Sequence, residues 1–311
     1  MFRVFYIGAD DFSAKVLRSL AGMCEIVAVG TYPDKPKGRG HRPVPTPVKV
    51  AAEDLKIPVL EIGDVCDAGI HAKIRQLGAD VGIVVSFRVL PPEFLRTIPA
   101  GFVNLHPSLL PDLRGAAPVN WAIMLGYKKS GLTTFVVNEK VDAGNILAQW
   151  EFEIGEDETA GEVFERIVVP GARLLAESVE GYLSGWIKPR PQSGMPRNRA
   201  PKIRREHRVI DWTKDAGWVH NRIRGLSPSP GALTSMGGRT IKILRSKVGD
   251  RSFCGVPGEV VDISDDAIWV SCGEGVVGLV ELQPEGKKVL DARSFANGYI
   301  KSNAKFDIMG I

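Results

Sequence analysis

The stretch ADVGIVVSFRVLPPEFLRTIPAGFVNLH, residues 79–106, runs strand, helix, strand within 28 residues. ADVGIVVSF (79–87) is apolar without the alternation of a half-exposed strand. A helix-patterned segment near 91–98 follows, and GFVNLH (101–106) returns to strand character. Strands that are apolar on both faces and joined through helices belong in a parallel sheet covered on both sides. This unit predicts an α/β fold.

The same rhythm extends in both directions. FRVFYIG (2–8), EIVAVGT (25–31) and TTFVV (133–137) read as further strands, with helical patterns near 12–22, 46–55, 69–77 and 116–126. Residues 158–185 carry apolar positions at helical spacing and few breakers, so one long closing helix is expected there. Together they predict a Rossmann-like, mostly parallel N-terminal domain over 1–188. The first strand ends in GADDF (8–12), with one glycine and no GxGxxG, which removes the main support for a nicotinamide or flavin enzyme. Ligands of open α/β sheets still gather at the carboxyl ends of strands, so the loops there are the place to look.

From Pro189 the texture changes. PRPQSGMPRNRAPKIRREHR (189–208) has four prolines and seven Lys or Arg against one acid, and reads as a basic, Pro-rich linker over 189–206. Beyond it, a helix-like stretch (214–224) precedes TIKIL, GEVVDI, AIWVSC and VVGLVEL, short β runs split by Gly and Pro. A small OB-like β-barrel is expected for the C-terminal domain, 207–311. Charge follows the same division. Residues 1–185 carry 19 Lys and Arg against 23 Asp and Glu, a balance of −4, whereas 186–311 carry 21 against 13, a balance of +8. A basic second half suits a polyanionic partner.

The bulk composition, 44% hydrophobic and 24% charged over 311 residues, is that of a globular protein large enough for two domains. Cys24, Cys66, Cys254 and Cys272 are scattered, without a CxxC pair, and read as stray buried thiols of a reducing compartment. No apolar run approaches the ~20 residues of a membrane span. The chain opens directly into a strand, which predicts no signal peptide and a cytoplasmic location.

The chemistry concentrates in NLHPSLLPDLRGAAP (104–118) and KVDAGNIL (140–147). On a strand, residues i and i+2 share a face, so Asn104 and His106 project together at the carboxyl end of GFVNLH. Asn offers a neutral N–H donor and His titrates nearest neutrality, a pair able to stabilise an oxyanion and move a proton. Asp142 can approach His106 if strands 101–106 and 133–137 are close in the sheet. Such a trio suits acyl transfer without a covalent enzyme intermediate. Ser108 lacks the GxSxG elbow and is not read as a nucleophile.

These residues carry a resemblance. NLHPSLLPDLRGAAPVNWAI followed by KVDAGNIL is similar to the folate-dependent formyltransferases, marked by Asn-x-His, SLLP, RG and AP, and a downstream Asp-x-Gly. The likeness implies Asn104, His106 and Asp142 as catalytic residues and 10-formyltetrahydrofolate as co-substrate, with no metal. It implies a folate wall made by Ser108, Leu109, Leu110 and Pro111, with Phe87 and Leu90 contributing from SFRVLP (86–91).

Three further stretches resemble the branch of the family that formylates initiator methionyl-tRNA. TYPDKPKGRGHRPVPTPVK (31–49) is similar to its basic insertion loop, which implies tRNA contacts by Arg39, Lys37 and Arg42. APKIRREHRVIDW (200–212) and LQPEGKKVLDARSFANG (282–298) are similar to its linker and tRNA-binding C-terminal half. The linker cations Arg197, Arg199, Arg204 and Arg205 are then further tRNA contacts, in a monomer with no membrane association. The alternatives are a sugar-nucleotide amine N-formyltransferase and a non-catalytic tRNA-binding protein. The chain departs from the family at GADDF, at Pro107, at Asp112-Leu113 and at SFRVLP, and keeps all three catalytic positions.

Overall fold

The structure, a computed structural model, describes residues 2–37, 42–249, 255–301 and 304–309. Two compact units emerge: one from 1–115, 131–152 and 164–199, the other from 116–130, 153–163 and 200–311.

The first unit is built on β1 (Arg3–Gly8), β2 (Glu25–Thr31), a ribbon of β3 (Lys35–Lys37) and β4 (Arg42–Val44), β5 (Val59–Glu61), β6 (Val81–Val85), β7 (Phe102–His106), β8 (Lys129–Val136) and β9 (Asn145–Glu153). The main sheet runs β5-β2-β1-β6-β7-β8-β9. Its first five strands are parallel, as expected, and β8 turns antiparallel to β7. β1 and β6 lie at the centre, and every residue of β6 is buried, which is why 81–85 shows no alternation. Gly82 has a packing reason. It lies beside Phe102 on β7, and a Cβ there would come within 2.1 Å of that ring.

The chain order reverses between β1 and β6, so the carboxyl ends around them form the switch point where α/β sheets open a crevice. GADDF has a structural meaning at this edge. Asp10 caps the helix Asp11–Leu20, accepting from the Ser13 backbone while the Ser13 hydroxyl accepts from Asp10, a reciprocal capping box. The expected long helix over 158–185 is two helices, Ala160–Arg166 and Val168–Leu183. Pro170 explains the break: it has no N–H to continue the ladder and is tolerated only in a first turn.

The second unit contains β10 (Ala232–Met236), β11 (Arg239–Gly249), β12 (Val260–Ile263), β13 (Ile268–Ser271), β14 (Val276–Pro284) and β15 (Leu290–Asp291), all antiparallel where paired. Along the path β10-β11-β14-β13-β12, β10 and β12 are the two edges. The C-terminal segment joins them: Asp307 bridges Ser235 of β10, while Lys305 bridges Glu259 just before β12. The sheet therefore closes on itself and leaves no long bare edge, the barrel-like arrangement expected for this half. The helix Ala216–Gly225, capped by Asp215, packs on it, as does the unanticipated helix Ala292–Tyr299, capped by Asp291.

Trp212 is the largest side chain in this core, 1% exposed, with its indole N–H donating to the Thr234 hydroxyl at 3.0 Å. Trp212→Ala is expected to lower stability by about 3–5 kcal/mol, through lost burial and an unfilled cavity. Urea titration checks it, and a loss under about 1 kcal/mol would contradict this packing.

Of the cysteines, Cys24 and Cys272 are buried and burial pushes each thiol up to about 12. Cys66 is exposed, against expectation, because it sits in the loop before the helix Ala68–Gln76. Cys254 lies outside the described residues. No helix among the described residues is long and apolar enough to cross a membrane.

Candidate active site

β7 ends at His106, with Asn104 two residues earlier and half-buried, so the shared face anticipated from their spacing exists at the carboxyl edge. Asn104 lies beside Val84 of β6 and opposite Phe135 of β8. Its carboxamide makes no side-chain hydrogen bond among the described residues and is free to meet a ligand.

His106 is 5% exposed. Its Nε2 lies 3.0 Å from the Leu113 carbonyl, which can only accept, so Nε2 carries a proton. In the neutral ring Nδ1 is then a bare lone pair, 3.8 Å from the Asp142 carboxylate. A lone pair facing a carboxylate is an unfilled proton site: protonating Nδ1 turns mild repulsion into attraction. Burial is the main cause that holds the imidazole below the ordinary value of 6.5, and the positive Arg114 adds to it. Asp142 and the Leu113 carbonyl pull the other way and do not prevail. The ring is therefore a neutral base at pH 7 with a stabilising anion beside the position its proton would take.

Asp142 arrives from the turn that joins β8 to β9. Its Oδ2 accepts from the Gly115 backbone N–H at 2.8 Å. Asp142 and Leu113 both adopt left-handed backbone, φ +49° and +57°. Each such residue without a glycine's freedom costs on the order of 1–3 kcal/mol, and strain of this kind gathers where function fixes the geometry. Gly144 follows because a Cβ there would fall 1.8 Å from the Val136 carbonyl oxygen.

The stiff SLLP stretch is held by β8 and β9. Thr133, opposite His106, donates to the Ser108 carbonyl at 2.6 Å and accepts from the Leu110 N–H at 3.1 Å. Gln149 donates to the Leu110 carbonyl at 2.9 Å. Leu110–Pro111 is a cis peptide. The fully buried Ser108 hydroxyl donates to the Asp112 carbonyl at 2.7 Å, a structural role that agrees with its exclusion as a nucleophile. Leu110 is buried with Phe135 and Ile146, and Leu109 packs over Gly131. Leu90 is a core residue at 3% exposure, so only its backbone can meet a ligand. Phe87 stacks on Tyr32 at 4.4 Å, under the guanidinium of Arg88, which stands 4.6 Å from the Tyr32 ring. A cavity of about 610 Å³ opens beside the turn of Asp142, lined by Pro92, Leu95, Arg96, Arg114, Lys140 and Ala143 among others.

The expected tRNA contacts are distributed differently. Arg39 lies outside the described residues. Lys37 and Arg42 pair at the tip of the β3–β4 ribbon. The ends of the surrounding insertion are anchored: the Thr31 and Thr46 hydroxyls meet at 2.7 Å, and Lys49 bonds both Asp34 (2.8 Å) and Glu61 (2.7 Å). Arg197, Arg199, Arg204 and Arg205 are all exposed.

The stretch read as a linker is not a free tether through residue 199. Arg190 exchanges two backbone hydrogen bonds with Ile146, Asn198 bonds Asp112 and Leu113, and Arg199 bridges Arg114. This strap delivers Gln192, a site residue that sequence reasoning missed, to the backbone of Asp142.

A mostly parallel sheet whose β7 ends in Asn and His at its carboxyl edge, with Asp142 brought beside His106 by the turn after β8, and a closed β unit further along the chain define the class, and comparison with known proteins agrees. The chain belongs to the formyl transferase family: residues 4–179 match the formyl transferase model and 202–300 that of the formyl transferase C-terminal domain. Its relatives include the methionyl-tRNA formyltransferases of Heliobacterium modesticaldum, 38% identical over 95% of this chain and 96% of that one, and of Bacillus mycoides, 40% identical over 96% of each. Two solved structures share the fold. HypX from Aquifex aeolicus in complex with tetrahydrofolic acid matches at TM-score 0.68 and 21% identity, over 97% of this chain and 48% of that one. An N-formyltransferase from Helicobacter canadensis, with folinic acid and dTDP-3-aminofucose, matches at 0.67 and 18%, over 91% of this chain and all of that one.

Proposed function

We propose that this protein transfers the formyl group of 10-formyltetrahydrofolate to the α-amino group of methionine on initiator tRNA. The observation that carries the reading is the His106–Asp142 pair, a buried neutral base with a carboxylate 3.8 Å from its vacant proton site, beside the unengaged amide of Asn104. The substrate assignment is supported by near full-length relatives named for methionyl-tRNA.

The amine attacks the formyl carbon, a new C–N bond forms and the carbonyl oxygen becomes an oxyanion. Asn104 donates to that oxygen, the role for which a preorganised neutral donor is suited. His106 takes the proton that the amine loses, and Asp142 stabilises the imidazolium. As the bond to the folate nitrogen breaks, His106 returns the proton to that nitrogen, so the protein ends unchanged. Ser108 to Pro111, Phe87 and the backbone at Leu90 wall the folate. Residues 1–188 act as the catalytic domain, and 207–311, with the preceding basic stretch, grip the tRNA.

A formylation assay that offers methionyl-tRNA beside amino-sugar nucleotides tests the reading. Formylation of the sugars alone would overturn it. Arg39 sharpens the test. Arg39→Ala is expected to cut kcat/KM on charged tRNA while folate binding and melting temperature stay at parent values, since remote contacts align the reacting groups. Arg39→Lys should be impaired as well, because an ammonium cannot copy the planar donor fork. Parent-like kcat/KM in Arg39→Ala would remove the insertion from tRNA recognition.

A further inference from the structure

Gln192 is the only side chain among the described residues that bonds the main chain of Asp142 and the side chain of Arg114 together. Its carboxamide is fully used. Nε2 donates to the carbonyls of Asp142 (2.9 Å) and Gly144 (2.8 Å), one on each side of Ala143. Oε1 accepts from Arg114 Nη2 (2.6 Å) and Nε (3.2 Å). A primary amide has two donors and two acceptor lone pairs, and here all four are spent. Glutamate would keep the acceptors and lose both donors. Methionine would keep the volume and lose everything else.

What the amide ties together matters. Asp142 stands in left-handed backbone that a non-glycine residue adopts only when its surroundings enforce it. Two carbonyls of that turn are anchored by Gln192, and the carboxylate is anchored by the Gly115 N–H, the residue after Arg114. Arg114 and Asp142 are also the two charged groups that act in opposite directions on His106. One neutral amide therefore bonds both of the residues whose charges act on the base. Gln192 is itself carried in by the Arg190–Ile146 pairing two residues earlier.

We propose that Gln192 is a positioning residue for formyl transfer: through the Asp142 turn and the Arg114 guanidinium it holds the carboxylate in register with His106. This rests on the formyl-transfer reading above, and assigns the proline-rich strap a part in the chemistry besides its basic surface. Gln192 meets no reacting atom.

The test uses the full-length protein with Gln192→Met and Gln192→Glu, assayed on methionyl-tRNA. In Gln192→Met, kcat is expected to fall by roughly 10²-fold, the scale of an ångström-sized misplacement of a catalytic group. KM for tRNA should stay close to the parent value, because no interaction shared by bound substrate and transition state is removed. Gln192→Glu brings a negative charge to the same place, which favours the protonated imidazole, so the acid limb of its kcat profile should move to higher pH. The limb of Gln192→Met should instead move to lower pH, because the carboxylate that raises the His106 pKa is no longer held in register, and a merely structural role would leave that limb alone. Parent-like kcat in a folded Gln192→Met overturns the proposal. So does a fall in kcat matched by loss of folded protein, with the Gln192→Met limb unmoved. If Gln192→Met does not fold, the kcat plateau of Gln192→Glu decides: glutamate has lost both donors to the Asp142 turn, so a parent-like plateau overturns the proposal. Failure of the parent to formylate methionyl-tRNA would instead strike the functional reading, so the two failures are distinguishable.

Discussion

His106→Ala is expected to slow formyl transfer by about 10²–10⁴-fold, the range for losing a positioned proton-transfer group. Folate binding should change little, because the ring engages Leu113 and faces Asp142 and its base function is realised only as the proton moves. The pH dependence gives a second reading of the same residue. Burial and Arg114 hold its pKa below 6.5, so the neutral, active form persists on mild acidification and the acid limb of kcat should lie below pH 6.5. Asp142→Asn removes the main influence that raises this pKa, so its limb should move lower still while the plateau falls, the imidazolium having lost its anion. Single-turnover rates across pH 5–8 measure both. A limb above pH 6.5, or parent-like turnover in His106→Ala, would remove the ring from proton transfer.

Much of this site was legible in the sequence, for reasons particular to each residue. Asn104 and His106 could be paired because strand geometry repeats every two residues and β7 ends at the sheet's carboxyl edge. Asp142 needed a fact about strand order. β8 does lie beside β7, but antiparallel, so it runs away from His106 and the following turn carries Asp142 back. Gln192 could not be read at all. Its partners are two backbone carbonyls and one guanidinium, a pairing that leaves no spacing or periodicity, and it lies in a run whose prolines suggest a tether. The tail around Lys305 and Asp307 was equally silent. The segment that closes the second unit does so with isolated bridges, too few residues to show alternation.

The long elements were legible for the opposite reason: β6 and the helix Asp11–Leu20 carry many residues that agree on one environment. β5 has three residues, and β3 and β4 are no longer, which is below the length at which a hydrophobic pattern can be told from chance. β9 alternates only in part, and its exposed Trp150 obscures the pattern. Pro170 stood in plain view inside a helical pattern. Its break follows from the missing N–H alone, so that expectation failed by weighting periodicity over a single residue.

Tetrasubstitution of Arg197, Arg199, Arg204 and Arg205 by Ala is expected to weaken tRNA binding and to flatten its salt dependence. All four guanidiniums lie at the surface, where removing a charge costs the fold little, within about 0.5 kcal/mol each. Arg197 is the partial exception, 3.5 Å from Asp112, but its side chain is 80% exposed and solvent screens that pair. Their expected value lies in meeting a polyanion, the kind of partner that the basic second half of the chain suits. Each phosphate left without its arginine should reduce the slope of log K against log salt by about 0.7 to 0.9, so four such removals flatten it by roughly three. The Asp112–Asn198 and Arg114–Arg199 links that strap the segment beside the site are made by Asn198 and by backbone, which alanine retains. Single-turnover formylation at saturating tRNA should therefore stay near the parent value while affinity falls. Filter binding from 50 to 200 mM salt measures the slope. An unchanged slope with an unchanged rate would mean that these arginines touch no phosphate, and that tRNA is gripped by the basic residues beyond them.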